Sequence, residues 1–222
     1  MKPLDFLYLQ MKLEGIGLNE HGHLIPLYSD VEDFPMFLFA QLNDGKTACH
    51  FAASLPGVLQ TSLGEQIPCL QFPNVQKIID IFEEYSIKVE LGHFKIYWFP
   101  EKYQDMVENE ARPFSEEDPC VQAFGFDGLS DTVYAVEREG EILSACVSSR
   151  QNNYSAEAWV MTTPNQRGKG LGTIVVSRWA SEMLRAGIIP FYSHAIDNVP
   201  SARLADRLDL VLMFEEIVLE ET

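Results

Sequence analysis

The spacing of hydrophobic residues in the C-terminal half predicts strands and helices in a regular order. Alternating apolar runs predict strands, and apolar residues three or four positions apart predict helices. The predicted strands lie at 132–137, 142–148, 156–162, 188–193 and 210–219. The predicted helices lie at 170–185 and 200–208. The resulting order, β-β-β-α-β-α-β, predicts an α/β or α+β fold with a mixed central sheet flanked by helices.

The N-terminal half has a weaker pattern that still predicts a smaller α/β domain. Apolar runs at 34–42 and 47–53 surround Asp44-Gly45, which predicts a hairpin. Helical spacing at 74–85 follows a candidate cap at Asn74, and a short strand is predicted at 95–99. Prolines interrupt a polar stretch at about 100–119, which we interpret as a linker. The predicted domains are therefore 1–110 and 111–222.

Composition and charge exclude several classes of partner. The 222 residues are 46% hydrophobic and carry a net charge of −17, so binding to nucleic acid or to anionic membranes is not expected. The four cysteines form no Cys-x-x-Cys pair, which favours a reducing cytoplasm over disulfides or a zinc site. The N-terminus lacks the pattern of a signal peptide, and no apolar run is long enough to span a membrane. We expect a cytoplasmic protein.

The histidines of the N-terminal half do not predict a metal site. His21 and His23 flank Gly22 without a nearby set of cysteines or carboxylates, so a turn is the better interpretation. His50 lies beside Phe51 within a predicted strand and is interpreted as a packed side chain. We expect no metal.

The segment 166–172, Gln-Arg-Gly-Lys-Gly-Leu-Gly, carries the main chemical signal of the chain. Its alternate glycines allow close approach to main-chain N–H groups, and a predicted helix begins directly after it. Residues 162–178 contain three cations and no Asp or Glu. Backbone donors, the helix dipole and fixed positive charge together predict a phosphate site. The spacing matches neither a Walker A loop nor a dinucleotide fingerprint.

The segment Arg167 to Gly172 resembles the Arg-x-x-Gly-x-Gly motif of the GNAT superfamily of acyl-CoA-dependent N-acyltransferases. The segment 159–166 resembles the central strand of the family and its exit before this motif, and the segments 188–198 and 201–208 resemble the next strand and helix. The wider pattern is similar to a bacterial branch that includes antibiotic self-resistance acetyltransferases. The resemblance covers roughly residues 113–222.

The resemblance implies acetyl-CoA, or another acyl-CoA, as the donor substrate. Loop N–H groups would hold the pyrophosphate, the strand edge at 161–162 would pair with the pantetheine arm, and one N–H of that edge would polarise the thioester carbonyl. The residues implied for donor binding are Met161, Thr162, Arg167, Gly168, Lys169, Gly170, Leu171, Gly172, Asn198 and Ser201.

Acyl transfer to an amine is helped by a base, and three residues are candidates. Glu157 is an acid in a mainly apolar run, although a strand residue facing solvent is an equal alternative. His194 and Asp197 follow at the end of the next strand. Two positions depart from the family pattern: Ala205 stands where a tyrosine acid is common, and Asp209 stands where a glycine is common.

These features favour an N-acetyltransferase that acts on a primary amine of a small molecule, with domain 1–110 shaping the acceptor site. The acidic composition weakly favours a cationic acceptor. A non-catalytic acyl-CoA-binding or sensor module and a protein N-acetyltransferase are the alternatives. The sequence does not distinguish a monomer from a homodimer.

Overall fold

The protein is described here by a computed structural model that covers residues 1–29, 34–67, 72–105, 110–126 and 130–222. Its main-chain contacts define two compact units. The first unit comprises Met1–Ile96 and Leu212–Thr222, and the second comprises Tyr97–Val211. Within these described ranges, no helix is long and apolar enough to cross a membrane. The functional division near residue 110 stays a prediction.

The secondary structure follows the chain from α1 to β11. The first elements are α1 (Pro3–Leu13), β1 (Ile16–Leu18), β2 (Leu24–Pro26), β3 (Pro35–Leu42), β4 (Thr47–Phe51), α2 (Gly57–Glu65), α3 (Val75–Glu84) and β5 (Val89–Trp98). A 3-10 turn (Glu101–Tyr103) precedes β6 (Arg112–Ser115), α4 (Pro119–Phe124), β7 (Thr132–Arg138), β8 (Glu141–Gln151) and β9 (Ser155–Thr162). A second 3-10 turn (Pro164–Gln166) precedes α5 (Leu171–Arg185), β10 (Ile189–Ala195), α6 (Val199–Arg207) and β11 (Val211–Glu221).

The first unit contains a sheet with the strand order β4-β3-β11-β5. The predicted hairpin is confirmed, because β3 and β4 pair antiparallel around a turn in which Gly45 has a φ of +84°. The predicted cap of α3 is also confirmed, since the Asn74 side chain accepts a hydrogen bond from the Lys77 N–H. Helices α1 and α2 and the small antiparallel pair β1–β2 were not predicted.

The second unit contains a sheet with the strand order β10-β9-β8-β7-β6. Strands β6 to β9 pair antiparallel in sequence order, and β10 pairs parallel with β9. The predicted order of strands and helices from residue 132 onward is confirmed, and the fold is of the mixed α/β class. Gly187 has a φ of +74° directly after α5, as expected for the residue that ends a helix.

Both faces of this second sheet are covered by helices. Each strand contributes to both faces, because alternate side chains point to opposite sides. One face packs with α5 and α6 in a cluster that includes Tyr134, Val136, Cys146, Tyr192, Val175, Trp179 and Ala205. The other face packs with α4 in a cluster that includes Val133, Ala135, Ala145, Val147, Val121 and Phe126. The sheet is therefore a rigid base on which α5 and α6 are held.

The predicted linker at about 100–119 is wrong in part, because it contains a strand and the start of a helix. Strand β6 occupies Arg112–Ser115 and pairs with β7, and α4 begins at Pro119 behind an Asp118 cap. Pro113 is compatible with this strand because β6 is the last strand in the order and needs main-chain bonds on one side only. Residues 106–109 of the predicted linker lie outside the described residues.

Candidate functional site

The glycine loop between β9 and α5 has the backbone conformation that its sequence requires. Gly168 has a φ of +77° and Gly170 a φ of +84°, a region that favours glycine. A methyl group added at either position would meet no atom within 4 Å, so each glycine is required by conformation rather than by space. Gly172 differs, because it lies inside α5 and a methyl there would make ordinary contact with Thr162 and Leu204.

Helix α5 begins at this loop without a side-chain cap. Gly170 is its N-cap residue, and the first turn contains no acidic side chain. The first N–H groups of a helix have no partner within the helix, and they carry the positive end of its dipole. The helix is fixed on the sheet by Trp179, which is 1% exposed and donates its indole N–H to the Ser148 hydroxyl at 3.0 Å. The helix that follows the loop is therefore fixed on the sheet.

Strands β9 and β10 separate after three paired residues. The parallel register runs only from Ser155 to Glu157 on β9, although both strands continue. The Thr163 N–H donates to the Leu143 carbonyl at 3.0 Å, on the β8 side. Because main-chain groups alternate along a strand, those of Val160 and Thr162 face the separated edge. The Thr162 carbonyl accepts a hydrogen bond from Arg167 Nε at 3.3 Å, which agrees with this direction.

Helix α6 forms the wall opposite the loop. Its cap is Asn198, whose side chain accepts a hydrogen bond from the Ser201 N–H at 3.2 Å, and Pro200 lies in its first turn. Loop, strand edge and helix together line an open cavity of about 500 Å³. The lining residues are Val160, Met161, Thr162, Gln166, Arg167, Gly168, Gly170, Leu171, Gly172, Thr173, Asn198, Pro200, Ser201, Arg203, Leu204 and Arg207.

The charge of this cavity is opposite to that of the chain. Arg167, Arg203 and Arg207 line it, and none of its lining residues is an Asp or a Glu. The whole sequence has 33 acidic and 16 basic residues, so a cationic cavity is not the result of average composition. Such a site raises the local concentration of an anionic ligand.

The structure brings together nine of the ten residues implied for donor binding. All except Lys169 line the cavity. The Lys169 ammonium instead donates to the Gln166 side-chain carbonyl at 2.7 Å on the exposed side of the loop. Whether these residues bind a donor stays a prediction.

Glu157 is 7% exposed and lies between two partners. One carboxylate oxygen accepts a hydrogen bond from the Ser193 hydroxyl, and the other is 3.2 Å from Arg150 Nη1. The solvent-facing alternative is therefore wrong for this side chain. Both partners are hydrogen-bond donors, so the two carboxylate oxygens are held in place between β8 and β10.

His194 is 5% exposed and stacks on Tyr97, with ring centroids 5.4 Å apart. Its Nδ1 is 2.8 Å from the Ala195 carbonyl, which can only accept, so Nδ1 carries the proton. Nε2 is 3.2 Å from the Tyr97 hydroxyl, within hydrogen-bond distance. His194 does not line the cavity, and neither does the exposed Asp197.

The structure shows the surroundings of Ala205 and the backbone conformation of Asp209, the two positions that depart from the family pattern. Ala205 is 1% exposed and packs in the same cluster as Tyr192, whose hydroxyl donates to the Ser201 carbonyl at 3.4 Å. Burial raises the pKa of Tyr192 to about 12, so this hydroxyl keeps its proton at neutral pH. Asp209 adopts a φ of +51°, the left-handed conformation expected for the position of a glycine.

Sequence reasoning missed several residues of this site. Arg203 and Arg207 were not singled out, because a helical spacing of four is also found on ordinary solvent-facing surfaces. Ser144 on β8 was also missed, although its hydroxyl contacts both the Met161 carbonyl and the Thr162 hydroxyl. The partners of Glu157 and His194 come from other strands, and no sequence spacing predicts them.

Comparisons with known proteins agree with this geometry. Residues 130–215 match the family model described as GNAT acetyltransferase. An acetyltransferase from the GNAT family of Colwellia psychrerythraea has a TM-score of 0.51 at 12% identity, and the match covers 100% of this chain and 98% of that one. A GCN5-related N-acetyltransferase-like protein from Streptococcus suis has a TM-score of 0.50 at 17% identity, covering 88% and 87% of the two chains. At these identities the likeness establishes the fold alone.

A search of curated proteins found no match. Residues 130–215 are thus similar to the GNAT acetyltransferase family, and the chain has the fold of these GNAT structures. The finer resemblance to a branch with antibiotic self-resistance enzymes stays a prediction.

Proposed function

We propose that this protein is an N-acetyltransferase that moves an acetyl group from acetyl-CoA to a primary amine of a small molecule. The observation that carries the proposal is the cationic cavity. It joins the uncapped start of α5, the separated edge of β9 and the start of α6. Acetyl-CoA has a matching shape, because a pyrophosphate is followed by a narrow arm with amide groups and a terminal thioester.

The donor would lie with its pyrophosphate on the N–H groups of 168–172 and its pantetheine arm along the β9 edge. The amides of the arm can pair with the main-chain groups of Val160 and Thr162, as an added strand does. A main-chain N–H of this edge would donate to the thioester oxygen, where negative charge develops during attack. Arg167 adds positive charge close to the pyrophosphate, and its Nε also holds the Thr162 carbonyl.

The reaction forms one N–C bond and breaks one C–S bond. The lone pair of a neutral amine attacks the thioester carbon, the tetrahedral intermediate collapses, and the CoA thiolate leaves. One proton of the amine passes to a base and finally to the thiolate, so the products are an N-acetylamine and CoA. Glu157 is the base that we propose, because its carboxylate is held by two partners and lies on the strand that would bind the donor.

The acceptor would approach the sheet face that carries Glu157. Side chains two residues apart on a strand share a face, so Trp159 and Met161 lie on the same face. Trp159 is 44% exposed and stacks on Phe126, with centroids 5.0 Å apart. An exposed indole beside a carboxylate suits a cationic amine, in agreement with the acidic composition of the chain.

A non-catalytic acyl-CoA-binding or sensor module is the second candidate. Two observations favour it: Ala205 is buried and carries no hydroxyl, and the Glu157 and His194 side chains already have partners. Such a module would bind acetyl-CoA without turnover, whatever amine is present.

The test combines calorimetric binding of acetyl-CoA with release of free thiol on a panel of small amines and peptides. We expect binding and thiol release that depends on a small cationic amine. In Glu157→Gln we expect kcat to fall about 10²- to 10⁴-fold with little change in donor affinity, as for loss of a general base. Glu137→Gln is the matched control, because Glu137 also pairs with an arginine but lies on β7, whereas Glu157 lies on β9, the strand whose edge lines the cavity.

Each result decides between the candidates. Binding without thiol release for every amine would favour the sensor module, and release with peptides alone would favour a protein N-acetyltransferase. If acetyl-CoA does not bind, the proposed function is wrong.

A further inference from the structure

Two arginines on α6 line the cavity on the side opposite the glycine loop, and the proposed binding of pyrophosphate by the loop gives them no role. Arg203 and Arg207 are exposed, line the cavity and are four residues apart on the helix. A rise of 1.5 Å per residue places their Cα atoms about 6 Å apart along the axis, on one side of α6. Their guanidinium groups can therefore contact a single ligand group.

Neither arginine is neutralised within the part of the chain that the structure describes. Other arginines of the second unit have carboxylate partners: Arg112 pairs with Glu137, Arg138 with Glu110 and Arg150 with Glu157. Among the described residues, no carboxylate lies within 4.0 Å of the Arg203 or Arg207 guanidinium, although Asp206 is their neighbour on the helix. Two unpaired cations beside a cavity favour an anionic ligand.

The loop already supplies the donors for one anion. The main-chain N–H groups of 168–172, with Arg167, are on the α5 side of the cavity, whereas Arg203 and Arg207 are on the α6 side. A pair of guanidinium groups on a separate wall calls for a second anionic group on the same ligand. A phosphate monoester suits it, because it carries a charge of about −1.5 to −2 and accepts bidentate bonds from arginine.

We propose that Arg203 and Arg207 bind the 3′-phosphate on the ribose of the donor. This inference rests on the proposed function and goes further, because it defines the class of donor. The protein would select CoA thioesters over dephospho-CoA, which keeps the pyrophosphate and the arm but lacks this phosphate. Thioesters of pantetheine phosphate would be poor donors for the same reason.

The experiment measures Kd for CoA and for dephospho-CoA by calorimetry in the wild type and in Arg203→Ala/Arg207→Ala. Because each charge-assisted contact corresponds to roughly tenfold in affinity, we expect the wild type to prefer CoA by about 10- to 100-fold. In the double variant the ratio should fall to within about twofold, with the Kd for dephospho-CoA unchanged. Arg203→Lys/Arg207→Lys, which keeps the charge but not the planar fork, should keep part of the preference.

The matched control is Arg112→Ala/Arg138→Ala, which removes the same charge from two exposed arginines outside the cavity lining. It should keep the wild-type ratio. Thermal melts of each variant report folding separately, since Arg207 in the last turn also interacts favourably with the dipole of α6.

The remaining outcomes overturn the inference. Equal affinity of the wild type for the two ligands would show that the 3′-phosphate is not recognised. An equal loss of both affinities in the double variant would show that the arginines act on the pyrophosphate or through the general field. Absence of binding for both ligands in the wild type would overturn the proposed function as well, whereas the first two outcomes leave it standing.

Discussion

At the residue scale, the glycines of the loop show that one residue type serves two different purposes. Gly168 and Gly170 have positive φ angles and open space around them, so the backbone conformation requires them. Gly172 is helical, and its missing side chain leaves room between Thr162 and Leu204 at the cavity. The sequence motif does not distinguish the three glycines, whereas their backbone dihedral angles show that only Gly168 and Gly170 have positive φ.

Substitution by alanine should separate these two purposes. Gly170→Ala forces a residue with a Cβ into the left-handed region, so we expect a loss of about 1–2 kcal/mol in the free energy of unfolding. Gly172→Ala replaces a helical glycine, so we expect a gain of about 0.5–1 kcal/mol together with weaker donor binding. Denaturant unfolding and calorimetry with CoA measure the two effects. A stabilised Gly170→Ala variant would contradict this account.

At the element scale, the sequence predicted the second unit well because helix-breaking and strand-breaking residues lie at the boundaries of its elements. Glycine and proline mark the ends of β9, α5 and α6, and the apolar spacing within each element is regular. Helix α1 was missed because its apolar residues, Phe6, Leu7 and Met11, have a weak helical periodicity without a side-chain cap. Strand β6 was missed because the effect of Pro113 depends on the position of the strand in the sheet, which sequence spacing does not show.

The turn between α6 and β11 provides a test at this scale. Asp209 has a φ of +51° and forms an ion pair with Lys102 at 2.6 Å. Asn tolerates the left-handed region as Asp does, so we expect Asp209→Asn to change the free energy of unfolding by less than about 0.5 kcal/mol. A β-branched residue does not, so Asp209→Val should cost about 1–3 kcal/mol. Chemical denaturation of the two variants measures the difference, and equal stability would contradict the strain argument.

At the scale of the whole molecule, the buried hydroxyls of the second unit limit stability at high pH. Burial raises the pKa values of Tyr103 and Tyr192 to about 12, from an ordinary value of 10.0. Between these pH values the unfolded chain loses the phenolic protons while the folded chain keeps them. The free energy of unfolding therefore falls as the pH rises from about 10 to about 12.

Removing one such hydroxyl should reduce this alkaline loss. Tyr192→Phe gives up a hydrogen bond to the Ser201 carbonyl, so we expect a cost of about 0.5–1.5 kcal/mol at pH 7. The difference from the wild type should shrink or reverse near pH 11. Tyr154→Phe is the matched control, because Tyr154 is 70% exposed and should leave the pH dependence unchanged. If the free energy of unfolding depends on pH in the same way in the wild type and in Tyr192→Phe, the Tyr192 hydroxyl does not contribute to the alkaline loss.

The candidate site was predictable only where a local sequence motif forms it. The end of β9, the loop at 166–172 and the start of α6 are each contiguous segments of sequence. Nine of the ten residues predicted in these segments line the cavity. The Glu157 environment instead combines Arg150 from β8 with Ser193 from β10, so it depends on sheet order and register. Side-chain partners of this kind require the pairing of strands before they can be named.

The separation of β9 from β10 also has a consequence for association between chains. An unpaired strand edge is a template on which another strand can grow, and proteins commonly cover such edges or charge them. Here the edge at Val160 and Thr162 lies inside a cavity of about 500 Å³ with the glycine loop and α6 beside it. A polypeptide strand would have to fit its side chains between the loop and α6, whereas an unbranched arm carries no side chains. The same cavity would thus protect the chain from edge-to-edge aggregation while leaving the edge accessible to a slender ligand.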